Sequence, residues 1–226
     1  MNNIALVIFS ADINDDLWEV NDLLINKYWP SHPPIYLLTE TKKYNNFKTI
    51  NLNYPIELWT KRMRESLSQI SEEYIIFICD DCFIQEQVNE DLLAEMLDFM
   101  QNKPNAANIN FEISFDKKDI DCENPNLKYR PKGAFVRVSL LCGLWNKEKL
   151  ISILEKDCNP WEIEKKQNDK NYEYYQLKNK RIIHWLNDEP FLCGAIFQGK
   201  WHKNTLSFLQ NENIDITKLH NRKEVD

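Results

Sequence analysis

Glycine is scarce in this chain, with only four in 226 residues, and none stands near the first apolar run. That scarcity excludes low-complexity and collagen-like sequence. It also removes the glycine-rich phosphate loop that a nucleotidyltransferase needs after its first strand, where this chain reads Ser10-Ala-Asp-Ile-Asn-Asp15. Positive charge is in deficit: 28 Lys and Arg against 35 Asp and Glu give a net charge of −7, so nucleic acid is not an expected partner. Long hydrophobic runs are missing too. The N-terminal residues Met1 to Ser10 have no basic flank, and their apolar run is too short for a signal peptide or a membrane span. The expected location is cytoplasmic. Cys79-Asp80-Asp81-Cys82 is formally a CxxC, but no second CxxC or CxxH accompanies it, so spacing gives no zinc site. The six cysteines sit mostly inside apolar runs, where reduced cysteine behaves as a small hydrophobe.

What is present supports a folded core: 43% of residues are hydrophobic and 12% aromatic, which suits one α/β domain of this length. Strands are predicted at 4–9, 35–38, 47–52 and 74–79. Between them lie helices opening at Asp15 or Asp16, running over about 56–70, and over about 89–100 with Leu92, Leu93, Met96, Leu97 and Met100 on one stripe. This β-α-β-β-α-β-α order predicts a largely parallel sheet flanked by helices. The second half is less regular. Strands are predicted at 107–113, 135–141 and 181–186, with a helix capped by Asn146, polar stretches at 116–129 and 165–180, a turn at 187–190 and an apolar element at 191–197. The division is a single domain over 1–226, with halves at 1–100 and 101–210 and a loosely held polar tail at 211–226.

Asp80 and Asp81 end the most strand-like run, Tyr74-Ile-Ile-Phe-Ile-Cys79. A strand buried on both faces has no use for charge, so two carboxylates at its carboxyl end belong where it leaves the sheet. In open α/β sheets that edge binds ligands, and paired carboxylates there suit a hard cation, Mg²⁺ or Mn²⁺, carrying a phosphate. Asp also favours turns, and a plain turn explains the pair equally well.

The element order, with Cys79-Asp80-Asp81 closing the fourth strand, resembles a GT-A-fold glycosyltransferase of the family 2-like bacterial type. The run Trp59-Thr-Lys-Arg62-Met-Arg-Glu-Ser-Leu67 before the motif is similar to the corresponding segment of those enzymes. So are Gly143-Leu-Trp-Asn-Lys-Glu-Lys-Leu150 and Asn159-Pro-Trp-Glu-Ile-Glu164 after it. The resemblance implies a three-layer α/β/α sandwich with a mostly parallel central sheet. It also implies a nucleotide-sugar donor and a glycan or glycolipid acceptor in lipopolysaccharide or capsular polysaccharide assembly, with peripheral association at the inner membrane. It puts Asp81 at the metal-ligand position, Asp80 against sugar or ribose, and the base at Glu162 or Glu164. The departures are Cys82, where a DxD motif has its second Asp, and Glu162/Glu164 in place of a Glu-Asp pair.

Glycosyl transfer needs stabilisation of a leaving diphosphate and a base for the acceptor hydroxyl. Asp81 with a metal meets the first need. Glu162 or Glu164, two apart in a segment read as extended, meet the second from one face. Ser10, Asp12 and Glu40 end the first two strands, and in this architecture they would meet the nucleotide. Arg62 would reach a uracil or phosphate, Lys200 the diphosphate, and His202 either the diphosphate or the metal. The competing reading is a non-catalytic binding or assembly module, whose interface would be the tryptophans crowding the second half, Trp145, Trp161, Trp185 and Trp201.

Overall fold

The computed structural model describes residues 3–166, 170–187 and 194–225. The strands are β1 (Ile4–Phe9), β2 (Ile35–Thr39), β3 (Lys48–Asn51), β4 (Tyr74–Cys79), β5 (Ala106–Ile113), β6 (Ile120–Asp121), β7 (Leu127–Tyr129), β8 (Gly143–Asn146), β9 (Glu173–Leu177), β10 (Ile196–Phe197) and β11 (Lys200–Trp201). The helices are α1 (Asp16–Tyr28), α2 (Trp59–Leu67), α3 (Glu90–Gln101), α4 (Lys147–Ile153), α5 (Pro160–Lys166) and α6 (Thr205–Asn211).

Nine strands form one sheet in the order β3-β2-β1-β4-β8-β5-β9-β7-β6. The run β3-β2-β1-β4 is parallel, β8 is antiparallel to both β4 and β5, and β9 is parallel to β5. Alternation along β1 separates the two faces. Ile4, Leu6 and Ile8 pack with Trp18 and Ile25 of α1 and the Leu92–Met100 stripe of α3. Ala5 and Val7 pack with Trp59, Met63 and Leu67 of α2, Leu150 of α4 and Ile163 of α5. The fold is therefore a three-layer α/β/α sandwich whose sheet is mostly parallel through its core, as the element order predicts. Tyr74 to Ile78 of β4 are all buried, and each such side chain contributes roughly 1.5–3 kcal/mol through burial. Among the described residues no helix is long and apolar enough to cross a membrane.

The second half departs from the sequence reading in four places. Residues 135–141 form turns, and the strand lies just beyond them as β8. The stretch 165–180, read as polar connection, carries β9, and 116–129 carries the β6–β7 hairpin. Residues 181–186 contribute one bridge, Trp185 to Ile84. Part of the predicted elements at 187–190 and 191–197 lies outside the described residues. The tail is not loose. Trp201 N–H donates to the Lys223 carbonyl at 2.8 Å, Val225 N–H donates to the Trp201 carbonyl at 2.9 Å, and Arg222 forms an ion pair with Asp16. A third cluster packs Leu17, Val20 and Leu24 of α1 against Phe83, Ala195, Trp201 and Leu209, which fixes the C-terminal segment beside the end of β4.

Candidate active site

Parallel β1, β2 and β4 deliver Ser10, Glu40 and Asp80 to one sheet edge. Asp80 is 7% exposed. Its Oδ2 accepts from the Ser10 hydroxyl at 2.5 Å and from Asn14 Nδ2 at 3.0 Å. Ser10 is itself oriented by Trp18, whose indole N–H donates to Ser10 Oγ at 2.7 Å. Asn21 of α1 donates to the Asp80 carbonyl at 2.6 Å. Asp80 is thus fixed by three side chains from the loop after β1 and from α1. None of Asn14, Trp18 or Asn21 stands out in the sequence, because a side chain in a turn or on a helix carries no mark of its tertiary target.

Asp81 is less buried. Its carbonyl accepts from Ala195 N–H at 2.7 Å, and its carboxylate accepts a backbone hydrogen bond from Ile196. Gly194, at φ +115°, lies directly against that carboxylate: a Cβ there would sit 2.7 Å from Asp81 Oδ2. Burial pushes both acids up, Asp80 to about 6 and Asp81 to about 7, and the neighbouring Asp80 charge adds to the rise at Asp81. Two crowded, desolvated carboxylates that resist joint ionisation are relieved by a bound cation. The donor set therefore fits a divalent metal. Arg222 supplies an opposing side-chain charge. It donates to Asn14 Oδ1 at 3.2 Å, stacks over the Trp201 ring at 4.9 Å and lowers Asp80 through its charge.

Arg62, Glu40 and Asp12, expected at the nucleotide, meet at the same edge but spend their polar groups on each other. Arg62 is 5% exposed. It pairs with Glu40, donates to the Ser10 carbonyl and reaches the Leu38 carbonyl at 3.4 Å. The second Glu40 oxygen accepts from Asp12 N–H. The Asp12 carboxylate accepts from Thr41 N–H at 3.0 Å and from Lys42 N–H at 3.2 Å. Burial alone would raise Asp12, but these donors outweigh it and hold the carboxyl below its usual range. The three residues clamp the β1 and β2 loops together. Lys200 is exposed on β11. His202 donates its N–H to the Ala195 carbonyl at 2.8 Å, so two backbone bonds in series connect it to Asp81. Among the described residues His202 belongs to neither cluster of metal-ligating atoms that lie within 4.8 Å of one another.

The two candidate bases separate. Asn159-Pro-Trp-Glu162 is the start of α5, not an extended segment. Asn159 Oδ1 accepts from Glu162 N–H at 2.9 Å, and Glu162 Oε2 accepts from Asn159 N–H at 3.2 Å. This reciprocal pair is a capping box, with proline at the first helical position. Residues two apart on a helix do not share a face, so Glu164 points elsewhere. It lines a cavity of about 200 Å³ with Glu112, Phe115, Arg130, Phe135 and Ser139. Burial raises its carboxyl above the ordinary range, opposed by the Leu140 N–H, which donates to Oε1 at 2.8 Å. From Leu140 the chain runs two residues to Cys142, whose thiol lies 3.1 Å from the Cys82 sulfur. Of the second-half tryptophans, Trp145, Trp185 and Trp201 are at most 2% exposed and belong to the core, while Trp161 is 64% exposed.

No protein-family model and no curated protein matches the sequence. Solved structures do match. A crystal structure of S. aureus TarS aligns with TM-score 0.53 and 10% identity over 80% of this chain and 36% of TarS. TarS 1–349 in complex with UDP-GlcNAc aligns with TM-score 0.50 and 10% identity over 98% of this chain and 68% of that one. The bifunctional IspDF of Campylobacter jejuni aligns with TM-score 0.48 and 11% identity over 82% of this chain and 52% of that one. The chain spans about a third of the length of the first TarS chain. At this identity the likeness shows the fold, and that fold is GT-A-like.

Proposed function

We propose that this chain transfers a glycosyl group from a nucleotide-diphosphate sugar to a hydroxyl of a glycan or glycolipid acceptor. One observation carries the reading. The segment Leu140–Cys142 joins the two halves of the chemistry, since Leu140 holds Glu164 and Cys142 touches Cys82, the neighbour of Asp81. A desolvated acid in a cavity and a metal-competent acid pair are thereby bridged by three consecutive residues.

In this reading Glu164 is the base, and Glu162 caps the helix that carries it. The acceptor oxygen gives its proton to a Glu164 Oε atom as it bonds to the anomeric carbon. The bond from that carbon to the phosphate oxygen breaks, and the diphosphate departs with the electron pair. Burial suits Glu164 to this role, because a raised carboxyl takes a proton more readily than an exposed one. Asp80, fixed by Ser10 and Asn14, orients a sugar or ribose hydroxyl. Mn²⁺ or Mg²⁺ held by Asp81 would supply the charge that stabilises the leaving diphosphate. Lys200 on β11 and His202 just after it, in the hairpin whose Ala195 and Ile196 meet Asp81, would face the same group. Ser10, Asp12, Glu40 and Arg62 shape the nucleotide side of the edge as a preformed clamp. One of the two TarS structures that align is in complex with UDP-GlcNAc, which supports a nucleotide sugar as donor. Assembly of bacterial surface polysaccharide is the context we assign.

A thermal-shift screen of UDP-, GDP-, CMP- and dTDP-sugars with and without Mn²⁺ tests this. Stabilisation by one nucleotide class, lost in Asp81→Ala, is the expected result. No stabilisation by any nucleotide, together with an intact biological role for Asp81→Ala, would return the chain to a non-catalytic module.

A further inference from the structure

Arg222 lies 208 residues beyond Asn14 in sequence, and the C-terminal segment brings the two side chains together. Its Nη1 donates to Asp16 Oδ2, and its Nη2 donates to Asp16 Oδ1 at 2.8 Å and to Asn14 Oδ1 at 3.2 Å. The other end of the same amide, Asn14 Nδ2, donates to Asp80 Oδ2 at 3.0 Å. We propose that Arg222 is a positioning residue of the donor site, acting through Asn14 to fix Asp80. The inference rests on the reading of Asp80 as the group that orients a sugar or ribose hydroxyl.

The chemistry of the amide gives this relay its direction. An asparagine side chain accepts at one end and donates at the other, whereas a guanidinium only donates and an ionised carboxylate only accepts. With Arg222 against Oδ1, the NH₂ group must face Asp80. The flipped amide would set NH₂ against guanidinium and oxygen against carboxylate, losing both hydrogen bonds at once. Without Arg222 the amide can turn, since water serves either end. Arg222 is itself held firmly. Its guanidinium stands 4.9 Å from the centre of the Trp201 ring, and Trp201 is tied through its backbone to Lys223 and Val225. The side chains of Asp16 and Arg222 are 1% and 10% exposed, and shielding from water strengthens a charge-assisted bond. Both Nη atoms are committed to Asp16 and Asn14, so Arg222 acts on a bound donor through the amide and not by contact.

A double-mutant cycle on donor affinity tests the relay. Calorimetry with a panel of UDP-, GDP-, CMP- and dTDP-sugars and Mn²⁺ compares wild type, Asn14→Ala, Arg222→Gln and the double variant. Each single change should weaken the nucleotide sugar that binds by about tenfold. The double change should also cost about tenfold, where independent roles would multiply to roughly a hundredfold. Lys218→Met removes a different ion pair between the tail and α1, the one with Glu19 at 3.2 Å, and should leave affinity unchanged. Should Arg222→Gln fail to fold, Arg222→Lys closes the same cycle, because it keeps a charge for Asp16 without the forked geometry that also reaches Asn14. Multiplying effects in the double variant, wild-type affinity in the Arg222 variant, or an equal loss in Lys218→Met would overturn the proposal and leave the donor reading standing. Binding of no panel member to the wild type would overturn the donor reading itself, and this inference with it.

Discussion

Gly194 lies against Asp81 so closely that a methyl group on its Cα would stand 2.7 Å from Oδ2 and 3.1 Å from Cγ. The backbone there, at φ +115°, is also one that side chains rarely adopt. The contact is the geometric reason that the C-terminal segment and the β4 acid pair form one site. Gly194→Ala is therefore expected to displace the Asp81 carboxylate and to destabilise the fold by roughly 1–3 kcal/mol. Urea unfolding and nucleotide titration on the same variant check both effects. Wild-type affinity in Gly194→Ala would show that Asp81 does not need this position.

The acid pair gives the protein a pH signature. An Asp with a folded pKa of about 7, against an ordinary value of 3.8, binds its proton more tightly when folded. Its contribution is fully present below about pH 4 and is lost as pH rises toward 7, because the unfolded chain then gives up the proton first. Asp81→Asn keeps the shape and removes the charge. It should be more stable than wild type at pH 8, by on the order of 1 kcal/mol after allowance for partial exposure, and no more stable at pH 4. Chemical denaturation at the two pH values measures the difference, and an equal effect at both would remove Asp81 as its source.

Arg62 carries the clamp between the first two strand ends. Its removal leaves Glu40 without its cation and the Ser10 carbonyl without its guanidinium donor, while the Leu38 carbonyl keeps the Ser10 N–H at 2.9 Å. Arg62→Met should cost roughly 3 kcal/mol, the low end for breaking a buried pair, since Glu40 retains some solvent contact. Thermal unfolding reads this directly. A variant of wild-type stability that has lost nucleotide binding would instead give Arg62 a direct contact with the ligand.

Much of the first half was legible in the sequence, because β1, β2 and β4 are apolar runs bounded by polar turns, and α1 and α3 carry clear stripes. The Asp80–Asp81 pair was legible for the same reason. The second half was harder for reasons that specific residues show. Gly143 reads as a breaker, yet it starts β8. A Cβ there would lie 2.9 Å from both Asn108 Nδ2 and the Ile109 carbonyl, so the crossing with β5 demands glycine. β9 was hidden because buried Gln176 interrupts the apolar signal of Tyr174, Tyr175 and Leu177. The helix at 160–166 has its signals, Asn159, Pro160 and Glu162 at capping spacing, which an extended reading of Glu162 and Glu164 passes over. Asn14, Asn21, Gly194 and Arg222 reach the acid pair only through tertiary packing, which no local pattern encodes.

Glu162 and Glu164 should respond differently to substitution. Glu162→Ala removes half of a capping box and should cost about 1 kcal/mol of stability with turnover retained. Glu164→Gln should fold normally, bind donor as the wild type does, and lose about 10²–10⁴-fold in kcat. Steady-state kinetics with an acceptor panel distinguishes the two. The reverse pattern would move the base to Glu162.

The most direct test of the account is calorimetric titration of a nucleotide-diphosphate sugar with Mn²⁺ into wild type, Asp81→Asn and Glu164→Gln. The account predicts metal-dependent binding to wild type and Glu164→Gln alike, and its loss in Asp81→Asn. Donor binding of equal strength in Asp81→Asn, or none in the wild type, would contradict it.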